Sequence, residues 1–234
     1  MDDLGAGATL VDFHIRRCHS IGSGGGSLVG GIAKFGGATT FRMIRGSISG
    51  CSGRQVGGAL VTDTPNSFID VLINDCHVFG TTEYDSTGIP ILIGGGGVCI
   101  QKGTLIMSGG AIRNCHAPHG FGGGIRSEDG GVQMELSGVI VQGCTAEYGG
   151  GVYLEENTDA RLTDVRIDDC EIARRRDGRV TVPQVCEHAA ARIDAHELGA
   201  AGHGAVAAVR VAHPRQPVEC GRRVGCGGRW RQGR

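Results

Sequence analysis

The sequence predicts an all-β protein: a right-handed parallel β-helix over residues 8–171, followed by a tail over 172–234 that is not part of the solenoid. Three observations predict it. Six cysteines, Cys18, Cys51, Cys76, Cys115, Cys144 and Cys170, each anchor one imperfect repeat. Apolar residues stand at fixed distances before every one of them, and a glycine run with a short apolar segment follows the first five. Such a unit cannot bury its apolar face alone, so neighbouring units must stack to do it.

The elements follow in order along one repeat. Residues 134–154 and 41–61 align without a gap, cysteine on cysteine and glycine pair on glycine pair. Three positions before each cysteine stand Ile15, Ile48, Ile73, Ile112, Val141 and Ile167. Eight before stand Leu10, Met43, Phe68, Met107, Leu136 and Leu162; five before stand Phe13, Gly46, Val71, Gly110, Val139 and Val165. Positions three and five before the cysteine share one face of a strand, because strand side chains alternate. Immediately before the cysteine come Arg17, Gly50, Asp75, Asn114, Gly143 and Asp169, and five of these six tolerate a left-handed backbone bend. The cysteine then points inward.

After it come the glycine markers: Gly24-Gly25-Gly26, Gly57-Gly58, Gly94 to Gly97, Gly122-Gly123-Gly124 and Gly149-Gly150-Gly151. Each leads into a second short strand, such as Ala59-Leu60-Val61, Val98-Cys99-Ile100 or Val152-Tyr153-Leu154. Cysteine spacings of 33, 25, 39, 29 and 26 fit one coil per unit with variable loops. The longest insertion, Val78 to Ile93, has Pro90 and a polar centre from Thr81 to Thr87, and is expected to bulge as a loop.

Composition agrees. With 44 glycines and only 4% aromatic residues, the chain suits closely spaced turns between short extended segments. Each glycine inside a helix costs about 1 kcal/mol, which disfavours a helical fold, and without an every-third-residue register collagen is excluded. No run of about 18 apolar residues occurs, so no transmembrane segment is expected, and the acidic Met1-Asp2-Asp3 start leads into no apolar signal core. Charge divides the chain: 11 basic residues stand against 19 acidic ones up to Glu171, then 12 against 5 from Ile172 onward. Arg174-Arg175-Arg176, the alanine-rich 189–208 and Gly221 to Arg234 show neither the repeat nor a helical period. This tail is expected to be disordered or the translation of a non-native reading frame, since its composition cannot support a packed core.

Ile112 to Cys115 with Gly122 to Ile125, and Val141 to Val152, follow the pattern I-x-x-C/N-x-A-x-x-G-G-G-[IV]. This resembles the repeats of polymorphic outer-membrane proteins and related right-handed β-helix proteins, across about residues 8–171. Their usual anchor is an asparagine within F-x-x-N, whereas this chain has cysteine. The resemblance implies surface display, with an adhesive or structural role and an extracellular or cell-surface location. Pectate lyases and other polysaccharide-acting enzymes share the fold, so fold alone does not establish function.

Candidate chemistry is sparse. The six repeat cysteines would stack about 4.8 Å apart, coil on coil. A disulfide wants Cβ atoms about 3.8 Å apart with a defined twist, so a reduced, packed ladder is expected rather than pairing. Cys186, Cys220 and Cys226 lack zinc-finger spacing. Cys18-His19, Cys76-His77 and Cys115-His116 repeat a Cys-His pair; stacked, His77 and His116 are candidate metal ligands, against the reading that they are ordinary turn histidines facing water. The glycine runs lack the lysine and helix of a P-loop and read as turns. A lyase would need outward carboxylates stacked to hold Ca²⁺ and a basic residue to take a proton. The outward positions two before each cysteine are Arg16, Ser49, Asn74, Arg113, Gln142 and Asp168; four before, they are His14, Ser47, Leu72, Ala111, Ile140 and Arg166. Only Asp168, Asp169 and Arg166 cluster, on the last coil, and they are the candidate catalytic residues.

The expected function is therefore a non-catalytic surface or extracellular β-helix module, adhesive or structural, and a fragment of a larger protein. Its partners would be carbohydrate or another surface protein, with no nucleic acid and no cofactor. The alternative is a secreted Ca²⁺-dependent polysaccharide (pectate) lyase-like enzyme.

Overall fold

The computed structural model describes residues 7–20, 29–35, 40–63, 65–80, 94–128, 131–155 and 158–172, and the backbone of 83–84, 90–91 and 191–193. The described residues form strands and turns without a helix. Three parallel sheets run side by side, and each coil contributes to all three in turn. The result is a parallel β-helix.

The first and longest sheet comes from the segment before each cysteine. It stacks Ala8–Val11 with His14–Arg16, then Phe41–Ser49, Asn66–Asn74, Thr104–Ser108 with Ala111–Arg113, Gln133–Ser137 with Ile140–Gln142, and Asp159–Thr163 with Arg166–Asp168. Register holds down the whole stack. Ile15 pairs Ile48, Ile48 pairs Ile73, Ile73 pairs Ile112, Ile112 pairs Val141, and Val141 pairs Ile167. Leu10, Met43, Phe68, Met107, Leu136 and Leu162 form a second ladder in the same way. Both ladders point into one continuous core with the cysteines. Each fully buried leucine, isoleucine, methionine or phenylalanine in it contributes about 1.5–3 kcal/mol of burial.

Two backbone kinks shape each pass through this sheet. The residue before each cysteine is left-handed throughout: Arg17, Gly50, Asp75, Asn114, Gly143 and Asp169 have φ of 53°, 61°, 54°, 50°, 63° and 51°. A second left-handed column, six before each cysteine, comprises Asp12, Arg45, Asp70, Gly109, Gly138 and Asp164. It breaks the long strands of most coils into two pieces.

The second sheet is short: Ser52–Gly53, His77–Val78, His116–Phe121, Thr145–Tyr148 and Glu171–Ile172. The third holds Ile32–Lys34, Ala59–Thr62, Val98–Gln101, Ile125–Glu128 and Val152–Tyr153. The glycine pairs lie at the entry to this third sheet. A Cβ at Gly97 would stand 2.6 Å from the carbonyl oxygen of Gly124, and one at Gly124 would stand 2.6 Å from that of Gly151. The pairs are thus where one coil's backbone rests on the next, a contact only glycine permits.

The structure corrects the first glycine marker. Gly30-Gly31, not Gly24-Gly25-Gly26, occupies the glycine-pair position: Gly30 donates to the Val56 carbonyl and Ile32 to that of Gly58. The first coil has extra residues between Cys18 and its glycine pair, which moves the marker downstream; residues 24–26 themselves lie outside the described residues. The boundary at 171/172 also moves, because Ile172 pairs with Ala146 in the second sheet. Within the insertion after Val78, Glu83–Tyr84 and Pro90–Ile91 pair antiparallel. The expectation for the tail lies outside the described residues beyond Ile172, apart from Ala191–Ile193, whose backbone runs parallel to Asp159–Thr163. Cys186, Cys220 and Cys226 also lie outside them.

Candidate functional site

Every described cysteine is free. Cys51, Cys76, Cys115, Cys144 and Cys170 are buried and Cys18 is half-buried, because its coil has described neighbours on one side only. Each thiol in the stack from Cys76 to Cys170 reaches a carbonyl on the preceding coil: Cys76 to Ile48 at 3.8 Å, Cys115 to Ile73 at 3.9 Å, Cys144 to Ile112 at 3.8 Å and Cys170 to Val141 at 3.7 Å. Burial pushes the Cys51 thiol up to about 11, with its partners Cys76 and Cys18 adding to the rise. The ladder is core rather than a reactive site.

The candidate catalytic group sits at the end of the first sheet. Arg166 and Asp168 form an ion pair on one strand, and Asp169 accepts a hydrogen bond from Gln142 Nε2 at 3.3 Å. On the preceding coil the residues in register with Arg166 and Asp168 are Ile140 and Gln142. Asp168 therefore has an amide, not a carboxylate, beside it. Ca²⁺ takes six to eight oxygen ligands, several of them anionic. Among the described residues no group of three or more histidine, cysteine or acidic side chains converges to hold a metal.

The outer face of the first sheet carries a different feature. Val11, Ile44 and Ile69 are consecutive members of one outward column. Across the kink, Leu72, Ala111 and Ile140 continue as consecutive members of the next. Ile106 lies alongside, in register with Ser67 and Glu135. Together they make an oblique apolar stripe over five coils, in which Val11 is 47%, Leu72 39% and Ile106 38% exposed, Ile44, Ile69 and Ile140 are half-buried, and Ala111 is buried between its neighbours. Exposed arginines Arg16, Arg42 and Arg113 stand on the same face. The residues four before each cysteine carry part of this stripe in the sequence, and the column seven before carries Val11, Ile44 and Ile69.

A third arrangement was not anticipated. Arg126 is 1% exposed, its Nη2 lying 3.1 Å from Glu155 Oε1 and 3.2 Å from Glu128 Oε1. Its guanidinium carbon stands 5.3 Å from the Phe121 ring centroid, and that ring stacks on Tyr148 at 4.9 Å and tilts against Tyr153 at 4.7 Å. Gln101 Nε2 donates to Glu128 Oε2 at 2.8 Å, and the buried Cys99 thiol approaches the same oxygen at 3.5 Å. Burial and then the Glu128 charge push the Cys99 thiol up. With both carboxylates already engaged by one cation, the cluster ties together three coils of the third sheet. A buried pair of this kind is strongly destabilising to break. The sequence signal was an arginine in the outward column that holds Leu60 and Cys99 on the preceding coils.

His77 and His116 are brought together: they are in register on adjacent strands of the second sheet. His19 joins the same column through Ser52, one coil further away.

Family models, curated proteins and solved structures offer no match to this chain. No family is shown.

Proposed function

We propose that the chain is a non-catalytic β-helical binding module that docks a protein partner against the outer face of its first sheet. The observation that carries this reading is the apolar stripe of Val11, Ile44, Ile69, Leu72, Ile106 and Ile140, held on a rigid parallel sheet. Contiguous apolar surface of this kind marks interaction sites. Arginine beside apolar side chains is the composition of protein interface cores, whereas glycan platforms rely on aromatic rings, and the columns of this face contain none among the described residues. The repeat pattern's resemblance to polymorphic outer-membrane proteins supports a surface or extracellular setting and an adhesive or structural role. A longer protein of such repeats would present this face many times over.

Beads coated with the full chain test this on intact cells. Retention should fall at least tenfold when cell-surface protein is removed by protease, and again with Leu72→Asp or Ile106→Asp at unchanged fold. Retention that ignores both substitutions would remove the stripe from the reading. Retention abolished by glycosidases but not by protease would make the partner a glycan. The lyase alternative predicts Ca²⁺-dependent release of unsaturated uronate from polygalacturonate, lost in Asp168→Ala; that result would replace the binding reading.

A further inference from the structure

The second sheet presents an outward column that the docking face does not use. From coil to coil it reads His19, Ser52, His77, His116, Thr145 and Glu171. Its direction is set by alternation: the next residues along, Val78, Ala117 and Ala146, are buried and pack on one another. The histidines therefore face away from that core, with His77 exposed and His116 half-buried.

In-register neighbours on adjacent parallel strands stand about 4.8 Å apart. His116 Nδ1 lies 2.8 Å from Thr145 Oγ1 on the following coil. That contact engages one ring nitrogen and orients the ring, and in the tautomer that donates from Nδ1 the Nε2 lone pair is left for a ligand. Hydrogen bonding of the second ring nitrogen is how metal-ligating histidines are commonly held. His77, on the coil before, brings a second imidazole to the same edge. Two nitrogens bound to one tetrahedral ion at about 2.0–2.1 Å lie roughly 3.4 Å apart, so the rings need to lean together by a little over 1 Å. An exposed histidine can do that by adjusting its side-chain torsions.

We propose that His77 and His116 form a two-imidazole site for a borderline divalent metal ion, Zn²⁺, Ni²⁺ or Cu²⁺, with solvent completing the coordination. Imidazole suits these ions, and among the described residues no third histidine, cysteine or acidic side chain converges with the pair. His19 takes no part, because it stands two coil spacings from His77, about 10 Å.

Site-resolved carbethoxylation of the full chain, read by mass spectrometry across a Zn²⁺ titration, tests the pair. Zn²⁺ should protect His77 and His116 together, at one midpoint, and leave His14 and His19 reactive. His77→Gln should shift the midpoint for His116 at least tenfold upward, and His116→Gln should do the same for His77. Thr145→Val should weaken protection several-fold without unfolding the chain. Uniform protection of all histidines, protection of His116 unaltered by His77→Gln, or none at millimolar Zn²⁺ would overturn the site. Protection that vanishes when the thiols are alkylated would assign the metal to cysteines and overturn it equally.

Discussion

Asp75, Asn114 and Asp169 hold left-handed backbone directly before their cysteines, at φ near 50°, a region that costs most L residues about 1–2 kcal/mol but suits aspartate and asparagine better. Arg17 and Arg45 sit there without that advantage. Arg45 gains a partner, since its Nε and Nη2 meet Asp12 Oδ1 and Oδ2 at 2.9 and 3.2 Å, an exposed pair whose hydrogen bond holds the Asp12 carboxyl below its ordinary range. The kink is what turns the chain out of one sheet and swings the cysteine inward. Register at this scale is strict, because a slip by one residue exchanges core for solvent. Ile112 is fully buried and its neighbour Arg113 exposed. Ile112→Asp should therefore cost several kcal/mol by burying an unpaired carboxylate, while Arg113→Asp should stay within about 0.5 kcal/mol. Thermal melts of the two variants check this, and equal shifts would contradict the inward placement of Ile112 beside an outward Arg113.

At the scale of elements, the coils are held by backbone hydrogen bonds in all three sheets and by the glycine pairs where backbones touch. Gly97 shows why alanine does not serve there: its added Cβ would lie 2.6 Å from both the Gly124 carbonyl oxygen and Ile112 Cγ2. Gly131 is the contrasting case, left-handed at φ 68° with nothing within 4 Å of an added Cβ. Gly97→Ala forces two coils apart and should cost about 3 kcal/mol, whereas Gly131→Ala meets only backbone strain of about 1 kcal/mol. Denaturant midpoints at unchanged slope distinguish them. The Arg126 cluster does for side chains what the glycines do for backbone: Glu128 follows it on the same strand and Glu155 lies on the next coil, so a single guanidinium crosses the join.

For the whole molecule, nearest-neighbour stacking makes the coils interdependent, and the thiol ladder runs through the middle of that arrangement. Folding raises the Cys51 thiol from 9.0 to about 11, chiefly through burial. Below pH 9 the thiol is neutral in both folded and unfolded chains, so its contribution is fully present. Between pH 9 and 11 the unfolded chain loses this proton first and is thereby favoured. Stability should therefore decline as pH rises through that window. Melting temperatures measured from pH 7 to 11 should be flat to about 9 and then fall, with maleimide labelling of the buried cysteines accelerating over the same range. Unchanged melting across the window would mean that the Cys51 thiol is not buried on folding.

Sequence by itself determined the repeat, the two inward ladders and the left-handed residue before five of the six cysteines, Arg17 being the exception. All three depend on local spacing: alternation along a strand and the conformations open to glycine, aspartate and asparagine. The second left-handed column was also written there, in Asp12, Asp70, Gly109, Gly138 and Asp164, but Arg45 among them hid it. Loop length defeated local reading at Gly24-Gly25-Gly26, because only pairing with Val56 and Gly58 reveals that Gly30-Gly31 holds the position. Tertiary structure alone decided the Arg126 cluster and joined the columns of the apolar stripe, and it placed in register the His77 and His116 that the repeated Cys-His pair had brought forward. Each joins residues that lie tens of positions apart, and their adjacency comes from coil-to-coil register, which depends on how every intervening loop closes.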